Sequence, residues 1–124
     1  MNIKEVEAVT NLPASKRYEY FIKKVADFQK VWGLFQNGWA TSEVDNGKIA
    51  VPFWPKEEFA LECAKGEWAG YHPESINLED FLNKWLIGMK TDGYKISVFP
   101  TNTKAVIVEI DILLNDLTCE LEKY

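Results

Sequence analysis

Apolar residues near the start of the chain recur at helical spacing. Ile3 and Val6 begin one stripe, Pro13 interrupts it, and a second stripe runs from Tyr18 to Phe28. Spacings of three and four place such residues on one face of a helix, and proline is favoured in a helix's first turn. The pattern predicts two helices within residues 2–29, the second of which turns these charged residues to solvent: Lys16, Arg17, Glu19, Lys23 and Lys24.

The hydrophobic pattern changes to that of β-strands at residue 31. Three runs of aromatic and β-branched residues follow within residues 31–54, separated by Asn37-Gly38 and by Asp45-Asn46-Gly47. Both separators are typical turn sequences, because asparagine and glycine tolerate positive φ. Pro52 cannot donate a ladder hydrogen bond, so the third strand is expected to end or to lie at a sheet edge near it. These residues predict a three-strand antiparallel meander.

The second half of the chain predicts three more helices and a hairpin. Pro55 suits the first turn of a helix at 55–65, Asn77 can cap a helix at 78–91, and Asp111 can cap a last helix at 111–123. Two strand-like runs within 94–110 flank a turn-like insert at 100–103, which indicates a hairpin. Residues 67–75 have no clean period and are expected to form a short strand followed by a loop.

The order of these elements determines the expected fold class. Strands and helices come in runs and do not alternate as βαβ units. We therefore expect an α+β fold in which a mainly antiparallel sheet of about five strands, the meander plus the later hairpin, packs against helices. No repeat or linker interrupts the chain, so residues 1–124 are expected to form a single domain.

Charge and hydropathy narrow the classes of partner and compartment. Fourteen Lys and Arg against nineteen Asp and Glu give a net charge of -5, which disfavours binding to nucleic acid. No apolar run approaches the length of a membrane span, and the first residues carry acids where a signal peptide would be apolar. We expect a cytoplasmic protein that does not contact a membrane.

Few residues suggest catalysis or metal binding. The chain has one histidine, His72, and two cysteines, Cys63 and Cys119, which lie in helical patterns beside apolar neighbours. Their spacing matches no metal or redox motif, so both are expected to be buried, reduced thiols. No glycine-rich phosphate-binding motif is present. The sequence therefore predicts no catalytic residue, metal or cofactor, and it favours a non-enzymatic protein without deciding the question.

Aromatic residues, 14% of the chain, are the most distinctive feature. Tryptophan and tyrosine are common both in cores and at interfaces. Three tryptophans lie at predicted strand ends or in the irregular segment, where partial exposure is more plausible than for the others. The predicted binding surface consists of Trp39, Trp54, Glu58, Trp68, Tyr71 and His72; ordinary core packing is the competing interpretation.

Several short motifs, taken in order, resemble a known family. They include Leu12-Pro13-Ala14, Val31-Trp32, Gly38-Trp39-Ala40, Trp54-Pro55, Glu58-Phe59-Ala60, Gly66-Glu67-Trp68 and Phe81-Leu82. Together they resemble the small bacterial proteins of the family Domain of Unknown Function twenty-seven fifty (DUF2750). The resemblance implies a bacterial, cytosolic, single-domain protein and supplies no activity or catalytic residues. The strand-to-helix step at 51–60 is also similar to that of immunity-type and secretion-associated α+β domains.

Three functional hypotheses follow from these observations. The first is a non-enzymatic, adaptor-like or immunity-like module that binds a basic protein through its acidic, tryptophan-bearing surface. The second is a small-ligand-binding protein or a hydrolase-like enzyme with a cleft near Trp54, Trp68 and His72. The third is a homodimer that buries the aromatic surface against a second copy.

Overall fold

The structure, a computed structural model, describes residues 2–101 and 104–124. This part of the chain contains five helices and six strands. The first half holds α1 (Ile3–Thr10), α2 (Ala14–Phe28), β1 (Lys30–Phe35), β2 (Ser42–Val44), β3 (Lys48–Phe53) and α3 (Glu57–Glu62). The second half begins with β4 (His72–Asn77), which is followed by α4. This helix consists of three consecutive segments: Leu78–Asp80, a π-helical turn at Phe81–Trp85, and Leu86–Thr91. The remaining elements are β5 (Lys95–Val98), β6 (Val106–Val108) and α5 (Ile110–Leu121).

The α+β class is confirmed, but the strands form two sheets. One has four strands in the order β2-β3-β5-β6, and the other, here called the ribbon, pairs β1 with β4. The predicted single sheet of about five strands, the three-strand meander plus the later hairpin, is therefore only partly right. The later hairpin, β5 with β6, is antiparallel as expected, although Asn102 and Thr103 of its predicted turn lie outside the described residues.

Two of the strand pairings differ from those that the sequence pattern predicts. β1 leaves the meander and pairs antiparallel with β4, from Lys30 opposite Asn77 to Phe35 opposite His72. β3 and β5 run parallel, connected by a crossover that contains α3 and α4, whereas the sequence predicted no parallel pair. Local turn signals identify hairpins, but both of these pairings join strands that are distant in sequence.

The ribbon is tied to the larger sheet at the end of β3. The backbone N–H of Trp32 donates to the carbonyl oxygen of Trp54 at 2.9 Å, and the N–H of Trp54 donates back to Trp32 at 2.8 Å. These reciprocal bonds form an antiparallel bridge between β1 and the residue after β3. The bridge fixes the ribbon's position relative to the parallel pair.

Arg17 corrects the prediction that the charged residues of α2 face solvent. It is fully buried, with Nε donating to the carbonyl oxygen of Phe99 at 3.3 Å and Nη1 donating to that of Leu12 at 3.1 Å. Arg17 lies four residues before the buried Phe21, so its side chain emerges on the core face of the helix. Backbone carbonyls thus partly offset the cost of burying its charge.

A bend after β5 is held by side chains from other elements. Phe99 has a φ of 46°, a left-handed conformation that is unfavourable for a bulky residue. The next carbonyl oxygen, that of Pro100, accepts from Nε1 of Trp54 at 2.9 Å and from Sγ of Cys63 at 3.4 Å. Together with Arg17, these donors stabilise a backbone conformation that the local sequence alone would disfavour.

Candidate functional site

A series of aromatic rings runs from the core to the surface beside the ribbon. Phe53 of β3 lies edge-to-face with Trp85 at 6.2 Å between centroids, Trp85 with Trp39 at 4.9 Å, and Trp39 with Phe35 at 5.2 Å. The ring of His72 lies 6.0 Å from that of Phe35. We call these five residues the aromatic array. Its inner end is fully buried, its three middle members are partly exposed, and His72 is exposed.

The Asn37-Gly38 turn positions Trp39. Asn37 adopts a φ of 58°, and the N–H of Gln36 donates to the carbonyl oxygen of Gly38 at 2.9 Å. Phe35 and Trp39 then form an isolated antiparallel bridge, so the turn predicted from this dipeptide is present although no extended hairpin follows. The tight reversal places the Trp39 ring against the strand that precedes it.

Gly33 leaves room for that ring. A Cβ atom at residue 33 would lie 2.9 Å from two carbon atoms of the Trp39 indole, closer than real Cβ contacts allow. The absence of a side chain in the middle of β1 therefore lets the indole lie directly on the strand. Trp39 is held by backbone beneath it and by aromatic edges on two sides.

The π-helical turn of α4 supplies the other side of the array. The N–H of Leu86 donates to the carbonyl oxygen of Phe81, which closes the wider turn. Phe81 and Trp85, at its two ends, both contact the ring of Phe53. Such turns are often found at functional sites, and here the turn determines where Trp85 meets Trp39.

His72 and Glu74 form the exposed rim of the array. His72 opens β4 opposite Phe35, and its Nε2 lies 2.9 Å from Oε1 of Glu74. Both side chains are about half exposed, so the pair is worth little as a stabilising interaction. It places polar groups beside an aromatic centre, which is the usual layout of a protein-binding surface.

Trp54 is not part of this surface. Its side chain is fully buried, contrary to the sequence-based expectation of a surface tryptophan, and its indole N–H donates to the bend at Pro100. It follows β3 at the bridge to Trp32, which joins the two sheets. Burial of this large ring with its only polar group satisfied is a core role.

The remaining predicted residues lie in other places. Trp68 is partly buried, 6.0 Å edge-to-face from Trp54, and lines a cavity of about 220 Å³ with Cys63, Lys65, Glu67 and Thr101. Tyr71 lies three residues after Trp68, and its backbone N–H donates to the carbonyl oxygen of Trp68 at 3.1 Å.

Glu58 lines a different groove, of about 340 Å³, with Phe28, Trp32 and Lys56 among its neighbours. The six predicted residues therefore do not converge, and only Trp39 and His72 belong to the aromatic array.

The two cysteines differ from each other. Burial raises the pKa of the Cys63 thiol to about 11, so it is protonated near neutral pH and a weak nucleophile. Cys119 is exposed on α5, which corrects the expectation that both thiols are buried. Among the described residues, no cluster of three or more His, Cys, Asp or Glu side chains has the arrangement of a metal site.

Sequence reasoning missed three members of the array: Phe35, Phe53 and Trp85. Phe35 and Phe53 lie in strand-like runs and Trp85 lies in a helical stripe, and this spacing alone predicts ordinary core positions. The useful signal is local: the turn dipeptide Asn37-Gly38 lies between Phe35 and Trp39 and implies that these rings meet across a turn. The contribution of Trp85 depends on the π-helical turn, which the sequence pattern does not reveal.

Comparison with known proteins gives one match. A family model described as "Protein of unknown function (DUF2750)" matches residues 18–117, which include the whole aromatic array. No curated protein and no solved structure matches the chain. In the described ranges, 2–101 and 104–124, no helix has both the length and the apolar character needed to span a bilayer.

Proposed function

The chain belongs to the DUF2750 family of proteins of unknown function, and we propose that it is a non-enzymatic protein-binding module, adaptor-like or immunity-like, that contacts its partner through the aromatic array. The observation that carries this proposal is the partly exposed Trp39, held in place between Gly33, Phe35 and Trp85. Large aromatic side chains of this kind supply most of the affinity of many interfaces.

Rigidity makes Trp39 a suitable anchor. A side chain that must be ordered on binding loses about 0.5–1.5 kcal/mol of conformational entropy. Trp39 is already confined by the close approach of its ring to β1 and by two edge-to-face contacts. It can therefore bury its exposed part against a partner with little further loss of freedom.

The charge of the chain favours a basic partner. The net charge of -5 attracts positively charged proteins over long range and speeds their encounter, an effect that weakens with salt. Glu74 places one carboxylate at the rim beside His72. The aromatic centre would supply affinity, and the surrounding charge would supply rate and selectivity.

Two observations favour this function over the small-ligand or hydrolase-like alternative. The cavity beside Trp68 measures about 220 Å³, below the roughly 300–1,000 Å³ typical of ligand pockets. The only thiol in its lining, Cys63, has a pKa raised to about 11, and His72 is not among the lining residues. A histidine-activated cysteine at that cavity is therefore poorly supported.

The test compares two variants as affinity baits in a lysate of the source cells. Trp39→Leu keeps an apolar side chain but removes the indole, whereas Leu61→Ala truncates a side chain that is 58% exposed on α3, away from the array. We expect a stoichiometric basic protein to bind the parent and Leu61→Ala, and to bind Trp39→Leu at least about 30-fold more weakly, the cost of losing one dominant contact.

Circular dichroism must show that both variants are folded, and titration calorimetry with the purified partner gives the affinities. His72→Gln is expected to change affinity only a few-fold, because rim contacts contribute little. Equal binding by the parent and Trp39→Leu would remove the array from the interface. A parent that is dimeric in sedimentation and a Trp39→Leu that is monomeric would assign the array to self-association.

A further inference from the structure

The four-stranded sheet has two open edges of different character. At one edge, β2 has the exposed Glu43 at its centre, a charge of the kind that discourages pairing with another chain. At the other edge, β6 consists of Val106, Ile107 and Val108, and in the described part of the chain it pairs only with β5. An uncharged, β-branched edge strand is well suited to accept another strand.

An apolar groove lies alongside this edge. It has a volume of about 390 Å³ and is formed by the start of α2, by β6 and by α5, with Ala14, Tyr18, Val106, Val108, Ile112 and Asp116 among its lining residues. Val106 and Val108 face the groove, and alternation along the strand turns Ile107 to the opposite face. Ile112, 54% exposed, forms part of the outer wall.

Asp116 gives the groove a negative charge, which favours a positively charged group in any segment that binds there. Its Oδ2 accepts a hydrogen bond from the Tyr18 hydroxyl at 2.5 Å, and the carboxylate is partly buried. Among the described residues, none of the ion pairs includes Asp116. Lys123 lines an adjoining cavity but pairs with Glu120 at 3.1 Å, and Glu19 at the rim pairs with Lys16.

We propose that the β6 edge is a second interaction surface, which accepts an extended basic segment of a partner protein as an added strand. The incoming strand would place alternate apolar side chains beside Val106 and Val108, and a lysine or arginine among them would pair with Asp116. Strand addition provides affinity through backbone hydrogen bonds and specificity through the alternate side chains. The surface is separate from the aromatic array and does not depend on the function proposed for it.

The binding test uses a short, capped, fluorescent peptide that alternates valine with threonine and carries lysines near both ends, with a glutamate-for-lysine version as the matched control. We expect the basic peptide to bind and the acidic one not to bind. Asp116→Asn preserves an acceptor for Tyr18 and removes the charge, so it should weaken binding of the basic peptide about tenfold. Leu61→Ala, at a position 58% exposed on α3 and outside the lining of the groove, should leave the affinity unchanged.

Two further peptides test whether a strand is added. Backbone N-methylation at alternate residues removes the donors on one edge of the peptide, and the second peptide carries the methyl groups on the other set of residues. One of the two should lose binding, and amide hydrogen exchange should slow in β6 but not in β2 when the basic peptide binds.

Equal binding by both methylated peptides, or undiminished binding to Asp116→Asn, would overturn the proposal. No binding of the basic peptide to the folded parent would do the same. Protection of β6 amides that rises with protein concentration in the absence of peptide would instead assign the edge to a second copy of the chain.

Discussion

Gly33→Ala tests the central feature of the site, the packing of Trp39 on β1. The added Cβ would lie 2.9 Å from two indole carbons and 3.6 Å from the ring of Phe53, so the indole must move. A displaced indole loses its edge-to-face contacts with Phe35 and Trp85, each worth about 0.5–1.5 kcal/mol. Replacing glycine by alanine would by itself stabilise a compatible backbone by about 0.4–1 kcal/mol.

The net expectation is that Gly33→Ala lowers the free energy of unfolding by about 1–2 kcal/mol, within the usual range for overpacking. For a chain of this size, that loss corresponds to a Tm lower by roughly 3–10 °C. Urea unfolding at 25 °C measures the free energy, and near-ultraviolet circular dichroism reports the change in tryptophan packing. The same substitution in a Trp39→Leu background should cost at least about 1 kcal/mol less, because the clash is gone.

Gly88→Ala is the matched control. No atom lies within 4 Å of a Cβ built at residue 88, which is exposed inside α4. Alanine should therefore stabilise the helix by about 0.5–1 kcal/mol, the opposite sign from Gly33→Ala. If Gly33→Ala were as stable as the parent, or equally costly with and without the indole of Trp39, the argument that Gly33 positions Trp39 would be refuted.

Three further results are expected from other parts of the molecule. Trp54→Phe removes the indole donor to Pro100 and should lower the free energy of unfolding by about 1–2 kcal/mol in urea titrations; an unchanged midpoint would contradict this. Iodoacetamide near neutral pH should alkylate the exposed Cys119 well before Cys63, whose pKa is raised to about 11, as followed by peptide mass spectrometry, and equal rates would show that Cys63 is accessible and ionised. Burial and the hydrogen bond to Asp116 raise the pKa of Tyr18 in the fold, so the contribution of this group to stability is complete below its ordinary pKa near 10 and is lost as the pH rises above it. Tyr18→Phe should therefore reduce the loss of stability at alkaline pH, measured by urea titrations from neutral to alkaline pH. An identical pH dependence in the parent and the variant would contradict this assignment.

The sequence was sufficient where structure is determined locally. Helical periodicity located α2 and the last helix, and the Asn37-Gly38 and Asp45-Asn46-Gly47 turns lie where their chemistry placed them. The pairing of β1 with β4 could not be predicted in the same way. It joins Lys30 to Asn77, which are 47 positions apart in the chain (77 minus 30), and no nearby residue specifies that contact.

Side-chain burial was harder to predict than secondary structure. The charge of Arg17 predicts a solvent position, although its place four residues before Phe21 lies on the core face. Its partners at Leu12 and Phe99 become apparent only when the chain is folded. Trp54 was assigned to the surface because it ends a strand, but a strand end that meets a second sheet is an interior position. The candidate site was accordingly found in part, at Trp39 and His72.

The bridge between Trp32 and Trp54 has a consequence for folding cooperativity. Trp54 connects three parts of the molecule: its backbone bonds to the ribbon, its chain continues from β3, and its indole bonds to the bend after β5. Opening the ribbon away from the larger sheet would break both backbone hydrogen bonds of the bridge together. Native-state hydrogen exchange should therefore show the amides of β1 and β3 opening as one unit, with the same free energy, so that the ribbon on which Trp39 packs is as rigid as the core to which it is joined.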